Sequence, residues 1–248
     1  MVPMDRLDVL KSLKNDQEYY TGIGKQFLSN SDVGTLLNNP SAFGHHRADG
    51  KALAEGRLFH QLLLEPDKVV DFPVCDTSTR TTKEYKSFIQ ERGISFCMLA
   101  KEVEEVNRWA SAIRKNYSFY ELIYGEGNQY EVPEVTTFHD LPWKGKADIV
   151  TPDFVVDLKT TSDINKFKCS ARTYNYDSQC YIYQQLFGKP LVFLAVDKET
   201  CQLGMFRPST EFVEYGAKKV ERACQVYNQY FGPNATEDII NHYINETL

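Results

Sequence analysis

The stretch GKADIVTPDFVVDLKTT, residues 145–161, constrains this chain more than any other part of it. Two apolar runs of strand-like composition flank Pro152-Asp153, a dipeptide with turn chemistry. A two-residue turn there pairs Thr151 with Phe154, Val150 with Val155, and Asp148 with Asp157. Because side chains alternate, one face collects Ala147, Ile149, Phe154, Val156 and Leu158, and the other Lys146, Asp148, Asp157 and Lys159. Directly opposite Cβ atoms stand roughly 4.5–5.5 Å apart, where like charges destabilise a sheet. Asp148 and Asp157 therefore require a cation, and a divalent ion suited to hard oxygen ligands, Mg²⁺ or Mn²⁺, is the expected one. Neutralisation of a solvated strand pair by Lys146 and Lys159 is the competing reading. Asp153 lies about 13 Å along the strand from Asp157, at roughly 3.3 Å per residue, and cannot share that ion.

Around this hairpin, helical patterns come first and strands later. Short helical character at 31–38 follows a loop-rich start, and KALAEGRLFHQLLL predicts a helix over 51–64 that stops before Pro66. TTKEYKSFIQER and MLAKEVEEVNRWASAIRKN predict two more. From about 128 the pattern turns to strands, QYEVPEVTTFHD, WKGKADIV and FVVDLKTT. A helix over YNYDSQCYIYQQLFG ends at Gly188 and Pro190, and LVFLAV and CQLGMF read as two further strands joined by a turn at 197–200. Helices over 210–231 and 236–246 close the chain. The order predicts one α/β (α+β) domain over 1–248. Its helical N-terminal part covers about 1–125, its core about 128–231, and its C-terminal helix 232–248.

With 42% hydrophobic and 13% aromatic residues among 248, the chain can bury a real core and is not a disordered tail. It has no apolar run long enough to span a bilayer and no signal-like start, so a soluble cytoplasmic protein without membrane contact is expected. The six cysteines are scattered without a C-x-x-C pair, which fits reduced thiols better than zinc or a disulfide framework. A formal net charge of −6 argues against a coat of nucleic acid but not against a local basic channel.

The run Asp157-Leu-Lys159-Thr-Thr, following Asp148 on the preceding strand, resembles the PD-(D/E)-x-K nuclease superfamily. Gly56-Arg-Leu-Phe-His60 has the G-x-x-x-H form of a subset of that family, and Tyr176, Gln179 and Tyr183 match its Y-x-x-Q-x-x-x-Y helix. The likeness is strongest to the RecE-like branch and runs from about residue 20 to 230. It implies a restriction-endonuclease-like core with a mixed central sheet flanked by helices. It also implies metal held by His60, Asp148, Asp157 and the Leu158 carbonyl, with two Mg²⁺ or Mn²⁺ ions per site. Lys159, Asp157, Asp148, Gln179 and Tyr183 become candidate catalytic residues. A first-strand glutamate belongs to the pattern, and Glu131 and Glu134 compete for it; Glu134, nearer the hairpin end, is preferred. Lys159 is placed to reach the attacking water or the phosphate. Arg80, Arg57, Lys166, Lys168, Arg172 and Tyr176 are candidate DNA contacts.

The activity implied is metal-dependent 5′→3′ digestion of linear double-stranded DNA, leaving 3′ single-stranded tails for recombination. The expected partners are DNA ends, a single-strand annealing protein and further copies of the chain in a ring. A phage-encoded origin fits the resemblance. The alternatives are a RecB-like or restriction-type endonuclease and a non-catalytic DNA-binding protein of the same fold.

Overall fold

Val155–Thr161 and Leu191–Asp197 are buried along most of their length, which places both segments at the centre of a covered sheet. The computed structural model describes residues 5–45 and 49–244. Its helices are α1 (Arg6–Leu13), α2 (Asp16–Tyr20), α3 (Asn30–Asn38), α4 (Lys51–Leu64), α5 (Lys83–Arg92), α6 (Ala100–Lys115), α7 (Tyr117–Tyr124), α8 (Phe167–Thr173), α9 (Tyr176–Phe187) and α10 (Thr210–Tyr230). The strands are β1 (Val74–Cys75), β2 (Met98–Leu99), β3 (Gln129–Phe138), β4 (Leu141–Val150), β5 (Val155–Thr161), β6 (Leu191–Asp197) and β7 (Leu203–Phe206).

β3 to β7 form one five-stranded sheet in sequence order, and β1 and β2 form a separate small parallel pair. Neighbours in the large sheet are antiparallel except β5 and β6, which run parallel through the crossover α8–α9. Two apolar cores cover its faces. Trp143, Ala147, Val155, Phe193 and Ala195 pack with α3, α8, α9 and α10, while Ile149, Val156, Leu158, Val192 and Leu194 pack with α4, α6 and α7. This is the mixed, helix-flanked sheet expected. No described helix is long and apolar enough to cross a membrane.

The expected hairpin turn is present. Thr151 N donates to Phe154 O at 2.9 Å, Thr151 Oγ1 accepts from Phe154 N at 3.0 Å, and the ladder pairs Val150 with Val155 and Ile149 with Val156. The ladder then stops. β4 leaves β5, and its far half takes the segment at Leu28 instead, with Lys144 N donating to Leu28 O at 2.8 Å. The expected face is also broken, because Ala147 packs in the α9 core while Ile149 packs in the α4 core. Strict alternation fails at the residue between them, Asp148. Opposite it on β3, Glu131 has φ 49° and is skipped by the β3–β4 pairing, whose register resumes on both sides. One local kink in this strand pair explains both departures.

Elsewhere the expected helices fall close to their predicted ranges, and Gly188 ends α9 in the left-handed conformation at φ 64°. The first fifty residues hold more helix than predicted. α1 and α2 are too short for periodicity to reveal, and α2 depends on Asn15, whose side chain accepts from Gln17 N and Glu18 N. The helix expected over 236–246 is absent from its described part. Thr236 N and Glu237 N both donate to Gln229 O, folding the chain back on α10, and only a 3-10 turn at Ile239–Asn241 follows; residues 245 and 246 lie outside the described residues.

α9, which carries Gln179, is pressed against α10 at a backbone-to-backbone contact. A Cβ added at Gly216 falls 2.0 Å from Asp177 O, so no side chain fits without parting the helices. Gly216→Ala is expected to cost about 2–3 kcal/mol of stability, the upper range for overpacking, read as a lower urea midpoint at unchanged m-value.

Candidate active site

α4 turns Ala54, Leu58, Phe59 and Leu63 into the core, and this stripe leaves Arg57, His60 and Gln61 facing the sheet margin. There the parted strands β4 and β5 leave Leu158 without a β4 backbone partner. Asp148 fills the gap, with Oδ2 accepting from Leu158 N at 2.7 Å. His60 enters from α4, with Nδ1 3.3 Å from Asp148 Oδ1 and Nε2 donating to Leu158 O at 3.0 Å. Gly56, one turn before His60, is bare: a Cβ there meets nothing within 4 Å among the described residues.

The kink at Glu131 brings a third ligand type to the same place. His60, Glu131 and Asp148 each offer one atom, and these atoms lie within 4.8 Å of one another, the one such group of at least three among the described residues. Glu134, the preferred candidate, lies elsewhere: its Oε1 is 2.5 Å from Arg6 and receives its own neighbour's amide, Val135 N, at 2.8 Å. Alternation had put the two glutamates on opposite faces and favoured the one nearer the turn. The left-handed backbone at Glu131, which no sequence pattern announces, decides for the other.

Beside this group, β5 directs Asp157 and Lys159 toward α9. Asp157 Oδ1 accepts from Gln179 Nε2 at 2.6 Å, and Oδ2 stands 2.6 Å from Lys159 Nζ. That ion pair does not have hydrogen-bond geometry, so Oδ2 is buried without a hydrogen-bond partner. Lys159 Nζ also sits 4.8 Å above the Tyr176 ring, a cation–π contact. Tyr183 makes no hydrogen bond to the carboxylates among the described residues. Its hydroxyl donates to Lys146 O at 2.7 Å and its ring packs on Gly145, which supports β4. Lys146, expected on the same polar face, turns away to Asp16 at 2.6 Å.

Charge is crowded here. Burial pushes Asp157 above the usual carboxylate range, opposed by Lys159 and reinforced by Asp148. Burial, and after it the Asp148 charge, lifts Glu131 to about 7. Asp148 is held low despite burial, because His60, Lys159 and the Leu158 amide outweigh that cost. Burial favours a neutral His60, but the charge and hydrogen bond of Asp148, with Asp157 behind them, raise it to about 9. Lys159 is likewise raised against its burial by Asp157. A protonated His60 thus stands between a carboxylate and a carbonyl oxygen. An imidazole, two carboxylates and a carbonyl suit Mn²⁺ or Mg²⁺, and the raised Glu131 carboxyl fits a site that a divalent cation would stabilise.

The candidate DNA contacts divide. Lys168 and Arg172 on α8 are exposed, Lys166 pairs with Asp163 at 3.0 Å, and Arg57 is held weakly by Asp49 at 3.4 Å. Tyr176 is half-buried beneath Lys159. Arg80 is locked on Glu102 at 2.5 and 3.0 Å and stacked on Phe96, so it ties the 76–82 loop to α6.

A family described as a PDDEXK-like domain of unknown function, DUF3799, matches residues 38–235, and the chain belongs to it. Among solved structures, a candidate exonuclease from Eubacterium rectale is 17% identical with a TM-score of 0.61, covering 94% of this chain and 95% of its own. A phage-related exonuclease from Haemophilus somnus is 15% identical with a TM-score of 0.33, over 62% of this chain and 89% of that one. A search of the curated proteins finds no match. The first of these structures shares the fold, and the chain is a PDDEXK-like α/β domain.

Calorimetric Mn²⁺ titration checks the ligand set. Asp148→Asn and Glu131→Gln are expected to weaken binding at least about 10-fold each, the scale of one lost charged ligand, whereas Glu134→Gln leaves it unchanged. Metal-free stability has a defined pH dependence. His60 titrates near 9 when folded and near its ordinary 6.5 when unfolded, so its contribution is complete below 6.5 and lost as pH rises toward 9. Glu131, raised to about 7, adds a cost that grows between 4.5 and 7. Urea unfolding of wild type against His60→Gln is expected to show a stability difference that shrinks from pH 6.5 to 9.

Proposed function

We propose that this protein is a metal-dependent deoxyribonuclease that hydrolyses phosphodiester bonds, acting as a 5′→3′ exonuclease on linear double-stranded DNA and leaving 3′ tails for recombination. The observation that carries the reading is the convergence of His60, Glu131 and Asp148 beside the Asp157–Lys159 pair. Membership of a PDDEXK-like family supports a nuclease. The exonuclease direction and the recombination role rest on resemblance to the RecE-like branch. So do the partners: DNA ends, a single-strand annealing protein and a ring of copies of this chain.

A pair of Mg²⁺ or Mn²⁺ ions held by His60, Glu131, Asp148, Asp157 and the Leu158 carbonyl would supply a water of lowered pKa and positive charge for the phosphate. The chain's own groups do the rest. Asp157 beside it favours the protonated form of Lys159, which in that form places a positive charge on a phosphate oxygen. Gln179 holds Asp157 in one orientation through Oδ1, leaving Oδ2 for charge. Tyr176 walls one side of Lys159 and keeps its ammonium aimed at the cluster. His60 must give up its proton before it can ligate, so loading releases protons and improves as pH rises.

A plasmid supplied linear and circular tests this directly. With Mg²⁺ the linear form is expected to disappear and the closed circle to persist. Asp157→Ala is expected to slow digestion by about 10³-fold or more, and Lys159→Ala by about 10²–10³-fold with partial recovery in Lys159→Arg. Equal loss of circles would assign an endonuclease of this fold, and no cutting of any DNA would remove the enzymatic reading.

A further inference from the structure

α4 carries a second polar face beside the carboxylate cluster. At 3.6 residues per turn, Gln61 lies about 40° to one side of Arg57 and His60 about 60° to the other. Across from them the 3-10 turn Pro66–Asp71 and the residues after it bring up Lys68, Asp71, Phe72 and Pro73, closing a cavity of about 310 Å³. It adjoins the cluster through α4, where Arg57 and Gln61 flank His60. A larger cavity of about 630 Å³ lies between the start of α4 and α6, but its two buried acids are satisfied. Glu55 is gripped by Lys51 and Lys198, and Glu102 by Lys51 and Arg80.

The smaller cavity is not satisfied. Gln61 lines it, and its Oε1 is buried without a hydrogen-bond partner among the described residues. Among the described residues, Arg57 and Lys68 pair with Asp49 at 3.4 Å and Glu65 at 2.6 Å, partly exposed pairs of the kind that exchange partners readily. Phe72 adds a half-buried aromatic surface. A ligand for this lining needs negative charge for two cations, a donor for Gln61 and a flat apolar face for Phe72. Inorganic phosphate meets the first need alone; a nucleotide meets all three through its phosphate, the N–H groups of its base and its ring. The volume is at the lower end for ligand pockets and takes one nucleotide, not a base pair.

We propose that this cavity receives one unpaired nucleotide of the strand being cut, next to the scissile phosphodiester, with Arg57 and Lys68 on its phosphate, Phe72 against its base and Gln61 on its base edge. The inference rests on the nuclease reading of the neighbouring cluster. It adds that a duplex must open by that nucleotide before it can be cut, so frayed ends and single strands are favoured over firmly paired ones.

Fluorescence anisotropy with short labelled single strands tests it, with Ca²⁺ in place of Mg²⁺ and a gel to confirm that the strand is intact. In a series carrying one abasic site at successive positions, wild type is expected to lose about 10-fold in affinity at a single position, the scale of one stacked base. Phe72→Ala is expected to abolish that positional loss. Arg57→Ala with Lys68→Ala is expected to weaken all members equally, about 10-fold or more, and to lower the salt dependence by about two phosphate contacts. Mn²⁺ affinity is expected to hold in both variants, showing that the cluster is intact. A flat abasic series in wild type, or an undiminished positional loss in Phe72→Ala, overturns the nucleotide pocket while Mn²⁺ binding and DNA cutting stand. Should Phe72→Ala fail to fold, the wild-type series and the Arg57/Lys68 variant still decide the matter. Wild type that neither binds Mn²⁺ nor cuts DNA overturns the nuclease reading itself.

Discussion

Leu158 N donates to a side chain, Asp148 Oδ2, at the point where the β4–β5 ladder ends. A buried amide must be paired, and here a carboxylate pairs it, which fixes Asp148 in the gap between the strands instead of on either face. The parting frees the Leu158 carbonyl for His60 and admits α4 from one side of the sheet, while α9 reaches Asp157 from the other. A continuous ladder would have closed this gap and separated the two helices by a full layer of sheet. The cluster therefore exists because a hairpin with a well-formed turn fails to stay zipped beyond two pairs.

The cost of that arrangement appears as displaced titration. Two carboxyls are pushed up, one is held down, and two bases are held protonated within a single buried neighbourhood. Of the two bases, His60, raised to about 9, is the one nearer neutrality. In the proposed metal-loaded state its ring would be a ligand, where here it stands between Asp148 and the Leu158 carbonyl. Backbone strain is concentrated here too. Glu131 is a non-glycine residue at φ 49° inside a strand, and it points into the cluster.

The turn at Pro152-Asp153, the first two strand pairs after it and the order of the later strands were legible, because each depends on local chemistry and a period of two, but the expected pair of Asp148 with Asp157 is not formed. His60, Asp148, Asp157, Lys159 and Gln179 were legible from spacing together with a family likeness. Ala147 was placed on the wrong face because strict alternation was carried through a kink that no glycine marks, and Glu134 was preferred for its nearness to the hairpin end, whereas the structure groups Glu131 with His60 and Asp148. Tyr183 was read as chemistry because its spacing matches a motif, but its hydroxyl is consumed by a backbone carbonyl. Arg80 resembled a phosphate ligand until Glu102, distant in sequence, took both its amino groups. Such partners are tertiary facts, and composition holds no trace of them.

The placement of the cluster between two separate cores bears on how it can work. His60 belongs to a helix packed in one core and Gln179 to a helix packed in the other, and β5 is the element both touch. Any sliding of α9 moves Asp157 through its 2.6 Å bond to Gln179, and any sliding of α4 moves His60 against Asp148. Gly216 removes one such freedom by letting α10 clamp α9 at backbone contact. α4 has no equivalent clamp near His60, where Gly56 stands open and Arg57 is only loosely paired. The rigid half of the site is therefore the Asp157–Lys159–Gln179 half, which fixes charge. The other half, which has no such clamp among the described residues, carries His60.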